Sequence, residues 1–527
     1  MHAVETFELV LLLLGAVVAL QWLAERIGLP PSAALLVGGG ALAFLPGLPP
    51  IELDPELALV LFLPPLLMDG AYYTAFGRFR RHLPGILSLA VGAVVFTTLA
   101  VGMAVHLLLP ELPWAACFAL GAIVSPPDAV AARAVLQRVQ LPRRLQALLE
   151  GESLLNDATG LVVFRFAVVA ALSGVFEPGA AIGQFALLSF GGIVVGVITG
   201  FAWVWVLRYL SNETLVVTTA TLLCWVAYLA GEAVHVSGVI STVTAGLIFG
   251  WYQHVIMPAA VRLQGSAFWR TLTFCLEAIV FILIGSSLRN VLARAGGLEQ
   301  VLTNMWGPVL VIMAAVVVAR FFWVFVIEFA LKALRVAGWK RARPLGRRQA
   351  TILAWTGMRG VVTLAVALTL PANMPGRDFM LVAAFAVILM TVVVQGGTLG
   401  MLIRVLKPED KDPPAKVPLP EAEAAIARAK LAEAEKLAYD DAGKLVHPQL
   451  LDTYQKRAAA TEKYASDADG FMQNIRGHFD VMLKALAAGR AKLILLHRKG
   501  DIEDETLHNL ERDLDLEELG LIYQRDG

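Results

Sequence analysis

The sequence predicts an all-α membrane protein in which about thirteen helices cross the bilayer and a helical cytosolic tail follows. Three observations carry that expectation. Apolar residues make up 57% of the chain and charged residues 16%, whereas a soluble domain carries about 25% charged residues. Apolar stretches near 20 residues, the length that crosses about 30 Å of hydrocarbon, recur along residues 6 to 404. Basic residues also alternate from loop to loop, as the positive-inside rule requires.

Taken in order, the expected spans are 6–25, 32–49, 56–73, 84–108, 113–135, 147–172, 183–208, 213–231, 236–252, 268–289, 307–331, 350–371 and 379–404. The first has no basic segment before it and no small-residue cleavage site after it, so it reads as a retained span rather than a signal peptide. Alternate loops hold Arg26; Arg78, Arg80 and Arg81; Arg133, Arg138, Arg143 and Arg144; Arg208; Arg262; and the cluster from Lys332 to Arg348. Those between them, "GLPPIELDPE", "LPELP", "SGVFEPG", "GEAVHVSG" and "PANMPGRD", are acidic or nearly neutral, and only the loop with Arg289 and Arg294 blurs the alternation. An odd number of spans, with the N-terminus outside and the C-terminus in the cytoplasm, fits this pattern. Residues 1–407 therefore read as a membrane domain, the Pro-rich 408–420 as a linker, and 421–527 as a cytosolic helical tail ending in a helical hairpin. The tail has no catalytic motif, and its partner is not readable from the sequence.

Lys plus Arg and Asp plus Glu number 43 each, which gives no global case for nucleic-acid binding. Cys117, Cys224 and Cys275 lie in apolar runs without CxxC or Cys/His spacing, so they read as small buried hydrophobes.

The polar residues inside the spans carry the chemistry. A carboxylate or Arg at mid-bilayer costs about 2.5–3.5 kcal/mol on the most lenient scale, so each needs a partner or a function. In "GESLLNDATG", Glu152, Ser153, Asn156 and Asp157 share one arc of about 140° on the sixth span at helical pitch. Carboxylate, hydroxyl and amide oxygens are hard ligands suited to a small cation, and a carboxylate can trade that cation for a proton. In the fifth span, "GAIVSPPDAVAA" sets Pro126 and Pro127 beside Asp128 and breaks the helix. Freed carbonyls at that depth are tolerated where they line a cavity or find new partners. In the twelfth, "WTGMRGVVTLAVAL" flanks Arg359 with Gly357 and Gly360. Interrupted spans in corresponding positions of two halves point to an inverted-repeat transporter site, and Asp128 and Arg359 have the signs needed to compensate the broken helix ends. Arg320, deep in the eleventh span, needs an acid, and Glu152 is the first choice. Arg165 reads as snorkelling to the membrane surface. Asp69, Glu232, His235 and Glu277 read as structural or funnel-lining.

"FLPPLL", "GAIVSPPDAVAA", "GESLLNDATGLVVF", "HVSGVISTVTAGL" and "WTGMRGVVTLAVAL", in that order, resemble the monovalent cation/proton antiporters of the sodium/proton exchanger type, bacterial branch. The likeness covers residues 6 to 404, and the Asn-Asp pair in its Glu-Ser context is its specific part. It implies a core domain with two crossed, unwound helices, a dimerisation domain, a homodimer in the bacterial inner membrane, and elevator-like alternating access. By motif it places Asp157 at the ion and proton site with Asp128 and Ser153 nearby as Na⁺ ligands, Asn156 as site organiser, and Glu152 in a structural ion pair with Arg320. The order Pro126-Pro127-Asp128 departs from the commoner Thr-Asp-Pro; a Pro127 main-chain carbonyl remains as a ligand, and a Thr hydroxyl does not.

The expected function is electroneutral exchange of cytoplasmic Na⁺, with Li⁺ and K⁺ as alternatives, for external protons, without a cofactor. One exchangeable carboxylate releases one proton for each monovalent cation bound. The rivals are a K⁺-selective antiporter and a cation channel of the same topology. A membrane enzyme is disfavoured because no Asp-rich DDxxD-like cluster or nucleophile motif is present, and a degenerate sensor because the Glu-Ser-Asn-Asp face is complete.

Overall fold

The expected apolar stretches fold as helices in the computed structural model, which describes residues 3–46, 55–128, 141–174, 178–339, 343–410, 412, 417–439, 443–466 and 468–526. The acidic loop segment 47–54, the second half of the fifth expected span with Arg133 and Arg138, residues 175–177, and most of the linker 411–416 lie outside the described residues. Among the described residues there is no strand, only an isolated bridge between Tyr439 and Leu445.

The membrane part begins with α1 (Ala3–Ile27), α2 (Pro31–Ala43) and α3 (Pro55–Tyr73), the last carrying Pro64 and Pro65 inside it. α4 (Phe76–Leu108) is followed by the short α5 (Trp114–Val124) and the long α6 (Arg143–Ser173). Next come α7 (Pro178–Leu207), α8 (Glu213–Ala233), α9 (Gly238–Ile256), α10 (Ala259–Arg294) and α11 (Leu298–Val336). The twelfth expected span is two helices, α12 (Arg347–Trp355) and α13 (Val361–Leu368), and α14 (Arg377–Leu406) closes the membrane part. Among the described residues nine helices are long and apolar enough to cross a membrane, with α2 and α5 as shorter apolar helices.

Local chemistry sets the ends. Pro142 precedes α6, and Gly174 ends it in the left-handed region with φ 74° while its N–H donates to Ala170 O at 3.0 Å, the αL stop that glycine makes without strain. Asn212 and Ser237 cap α8 and α9 by accepting from Leu215 N at 3.1 Å and Ile240 N at 3.3 Å. α4 contains a π-helical stretch, Ser88–Ala93, and Trp323 Nε1 of α11 donates to Ser88 O at 3.0 Å. The indole thus adds a partner for a carbonyl within that widened turn.

Two packing groups result. α7, α8 and α9 pack on one another and on α3, while α4, α5, α6 and α11 to α14 surround the two interruptions; α2 lies along α10. That last contact is a close backbone approach. A methyl group on Gly39 would overlap the Ile282 carbonyl, and one on Gly285 the Leu36 carbonyl, so small residues let two backbones meet.

The chain divides into two compact units, Met1–Asp412 and Pro413–Gly527. The second consists of α15 (Leu419–Leu437) packed on α16 (Pro448–Ser466), and of the hairpin α17 (Ala468–Arg498) with α18 (Asp504–Asp526). Within the hairpin Arg490 reaches Asp515 at 2.7 Å and Glu518 at 2.6 Å.

Gly285→Ala is therefore expected to cost about 1–3 kcal/mol through overpacking, read as a lower midpoint of thermal unfolding in detergent. Gly15→Ala in α1, where an added methyl meets nothing within 4 Å, is expected to leave the midpoint unchanged.

Candidate ion-binding site

α5 stops at Val124 because Pro126 and Pro127 bring no backbone N–H and their rings block a continued helix. The neighbours repair the break. Ser125 Oγ donates to Ala122 O at 3.1 Å, and Thr98 Oγ1 of α4 approaches Ser125 Oγ at 3.2 Å. At the second interruption, residues 356–360 run non-helically between α12 and α13, and the two breaks meet through main chain: Asp128 N donates to Met358 O at 2.6 Å.

Each break compensates the other. The Arg359 guanidinium, 1% exposed, donates from Nε to Val124 O at 2.6 Å, placing a cation on the last carbonyl of α5. It also donates to Gly357 O. Asp128 Oδ2 accepts from Val361 N at 3.3 Å, placing a carboxylate on the first N–H of α13. Both charges therefore sit at the helix end whose partial charge opposes them. A methyl group on Gly360 would overlap the Asp128 carboxylate, so the crossing requires glycine there. Arg359 N donates to Thr391 Oγ1 at 3.0 Å, and Thr391 opens a π-helical stretch of α14, Thr391–Gln395. π-Turns often occur at functional sites.

α6 supplies the rest. Glu152 and Arg320, 2% and 3% exposed, form a bidentate pair at 2.6 and 2.9 Å, the fork geometry that suits guanidinium and carboxylate. Arg320 also donates to Leu353 O from Nε at 3.3 Å and Nη2 at 3.1 Å, so the last turn of α12 receives a cation as α5 does. One turn further along α6, Asn156 Nδ2 donates to Pro127 O. That carbonyl can only accept, which fixes the amide orientation and leaves Asn156 Oδ1 buried without a hydrogen-bond partner among the described residues. Pro126 packs against Gly160, where a methyl group would overlap its ring. Asp157 is 8% exposed, feels the like charge of Asp128, and makes no hydrogen bond or ion pair among the described residues. Ser153 lies half-buried one turn before it.

The sequence-expected residues thus fall into three sets: Asp128 and Arg359 at helix ends, Glu152 with Arg320, and Asn156 at Pro127. Asp157 stands apart as the carboxylate without a hydrogen-bonded or paired group. Thr98, Ser125, Thr391 and Gly160 were not singled out by sequence; the only signals were a Thr or Ser within an apolar span and a glycine one turn past the Asn-Asp pair. The other membrane polar groups lie in separate contacts. Asp69 Oδ1 accepts from Trp269 Nε1 at 2.9 Å. Arg165, 63% exposed, lies 3.7 Å from Glu232, which also accepts from Gly238 N at 3.2 Å, so its exposed side chain also has an acid to meet. His235 turns the chain between α8 and α9 with φ 57°. Among the described residues no three His, Cys, Asp or Glu side chains gather as a metal site.

Removing one partner of the buried pair strands a charge and typically costs about 3–5 kcal/mol, whereas removing both costs less. Glu152→Gln and Arg320→Gln are each expected to lower the unfolding midpoint strongly, and the double variant by less than the sum. Additive losses in detergent unfolding would mean that the pair is not energetically coupled.

Comparison with known proteins gives this geometry a context. Residues 10–405 match the family model described as "Sodium/hydrogen exchanger, transmembrane". The chain is 30% identical to the uncharacterized Na⁺/H⁺ exchanger YjcE of Escherichia coli K12 over 98% of both chains. It is 33% identical to the sodium, potassium, lithium and rubidium/H⁺ antiporter of Bacillus subtilis 168, over 73% of this chain and 60% of the relative. Among solved structures, the sodium proton antiporter MjNhaP1 of Methanocaldococcus jannaschii at pH 8 aligns with a TM-score of 0.59 and 21% identity, covering 77% of this chain and 100% of that one, a likeness of fold. With its helical membrane fold and a family match across nearly all of the membrane part, the chain belongs to the sodium/hydrogen exchangers, a family of multi-pass membrane transporters and not of enzymes.

Proposed function

We propose that the protein is an electroneutral secondary antiporter exchanging cytoplasmic Na⁺, with Li⁺ or K⁺ as the alternative cation, for external protons by alternating access. The observation that supports this is the charge balance. Glu152 is matched by Arg320, and Asp128 and Arg359 are matched to helix ends, which leaves Asp157 as the one acid free to alternate between a proton and a cation. In this reading the cation is held by Asp157, Asp128, Ser153 and the Pro127 carbonyl. Asn156, Arg359, Glu152 and Arg320 hold the frame, and the buried, unpartnered Asn156 Oδ1 adds a neutral oxygen near the ion. The breadth of cations in the name of the Bacillus subtilis relative supports testing each of them.

In this reading, which the alternation of basic loops supports, the protein sits in a bacterial inner membrane with the N-terminus outside and the C-terminus on the cytoplasmic side. A homodimer belongs to this reading through the family resemblance.

Asp157→Asn keeps shape and hydrogen bonding but cannot cycle a proton. It is expected to abolish cation-dependent dequenching of a pH dye in proteoliposomes while leaving the unfolding midpoint close to wild type; wild-type exchange by this variant would refute the assignment. Because cation and proton compete for one carboxylate, the half-saturating cation concentration is expected to rise as pH falls through the site's pKa, when measured with NaCl, LiCl and KCl in turn. A pH-independent value would contradict a shared site.

Electroneutrality has its own measurement. With the potential clamped by valinomycin and K⁺, the Na⁺/H⁺ exchange rate is expected to be the same at imposed potentials of either sign. The same result is expected for Asn156→Asp, though with a slower rate and a shifted pH profile, since Arg320 still neutralises Glu152. Voltage-dependent exchange in the wild type would overturn one-for-one coupling.

A further inference from the structure

After α14 the chain turns abruptly. Lys407, a non-glycine residue in the left-handed region with φ 43°, ends the helix with its N–H on Ile403 O at 2.9 Å, a conformation that a β-carbon makes unfavourable unless its surroundings hold it. Those surroundings are the following residues, which lie across the ends of three helices. Glu409 O accepts from the buried Gln349 Nε2 at 2.6 Å, and its carboxylate lies 3.8 Å from Arg348, both at the start of α12. Asp410 Oδ2 accepts from Arg143 Nε at 2.7 Å and from Arg143 N, the first N–H of α6, at 3.5 Å. Asp410 Oδ1 also closes a local turn by accepting from Asp412 N at 3.0 Å. Asp412 O accepts from Arg143 Nη2 at 3.3 Å, and its carboxylate lies 3.8 Å from His82 of α4.

The helices so joined are the ones that carry the site. α6 bears Glu152, Asn156 and Asp157; α12 presents Leu353 O to Arg320 and leads into the break holding Arg359; α4 brings Thr98 to the other break. An acid on the first turn of α6 also opposes the partial positive charge there. Together these contacts make residues 407–410 with Asp412 more than the start of a linker.

We propose that residues 407–410 with Asp412 form a strap in which Asp410, through Arg143, is a positioning residue for the ion-carrying helix α6, so that the end of the membrane domain is mechanically linked to Asp157. The proposal rests on the antiporter reading for its transport readout only. Burial pushes the Asp410 carboxyl up, but hydrogen bonds from Arg143 and from the Asp412 and Arg143 backbone N–H groups outweigh it and hold the group below the usual carboxylate range. A lowered value means that the contact is present above the ordinary carboxylate pKa and is lost only as pH falls through the lowered one. At neutral pH the Asp410–Arg143 contact is therefore present.

The test uses the full-length protein with Asp410→Ala, Asp410→Glu, Arg143→Ala and the double alanine variant. Hydrogen–deuterium exchange is expected to rise in residues 143–150 of Asp410→Ala and to stay unchanged in residues 114–124. In proteoliposomes the half-saturating Na⁺ concentration is expected to rise about two- to fivefold, the range by which a half-exposed ion pair shifts an equilibrium, with the maximal rate per folded protein unchanged. Asp410→Glu restores both readouts, and Arg143→Ala adds nothing to Asp410→Ala. Unchanged exchange in residues 143–150, or additive effects of the two alanines, overturns the strap. A change in half-saturation without local exchange overturns it as well. Absence of Na⁺/H⁺ exchange in the wild type would instead remove the antiporter reading and leave the deuterium result to judge the strap alone.

Discussion

The whole arrangement depends on one constraint: peptide groups released from helical hydrogen bonding inside a membrane must find partners in the protein, since hydrocarbon offers none. Two helices are interrupted side by side, and the crossing answers the constraint with few side chains. Asp128 N pairs with Met358 O, Arg359 takes the last carbonyl of α5, and Asp128 takes the first N–H of α13. The polar groups that make the breaks tolerable also create a polar interior in an apolar bundle. The polar interior follows from the repair of the backbone as much as from the carboxylate beside it.

The second arginine extends this logic from backbone to charge. Arg320 is shared between the Glu152 carboxylate and the Leu353 carbonyl, so one cation serves a carboxylate on α6 and a helix end on α12. Gly357 leaves the room this needs, since a methyl group there would overlap the Arg320 side chain. With Glu152 occupied in this way, Glu152 and Asp157 sit in different surroundings although they stand little more than one turn apart on α6. Burial is similar for both; what distinguishes them is the presence of a fixed counter-charge.

Much of this was legible in the sequence because membrane helices announce themselves by length and apolarity, and most of the expected stretches coincide with helices among the described residues. Pro126-Pro127 and the glycines around Arg359 marked the two interruptions, and the pattern of isolated charges pointed to Glu152 with Arg320. What was not legible depends on three-dimensional approach. The π-helical stretches of α4 and α14 lie where Trp323 and Arg359 make hydrogen bonds, and no local pattern marks them. Nor does sequence reveal that Gly160 faces Pro126, or that Asp410 lies on the first turn of α6, 267 residues earlier in the chain. The span from 350 to 371 read as interrupted at Arg359, and residues 356–360 do divide it into α12 and α13; glycine beside a buried arginine signals an interruption without giving its length.

The main-chain bond between Asp128 and Met358 has a further meaning for how such a molecule can change over time. Residues that touch only through side chains can be altered one by one, but a contact made by backbone atoms does not depend on which side chains are present. The junction can therefore keep its geometry while the residues around it drift, as long as position 360 keeps a glycine and position 127 keeps a carbonyl. Ion preference is then free to change through the lining, with the scaffold of the crossing left intact.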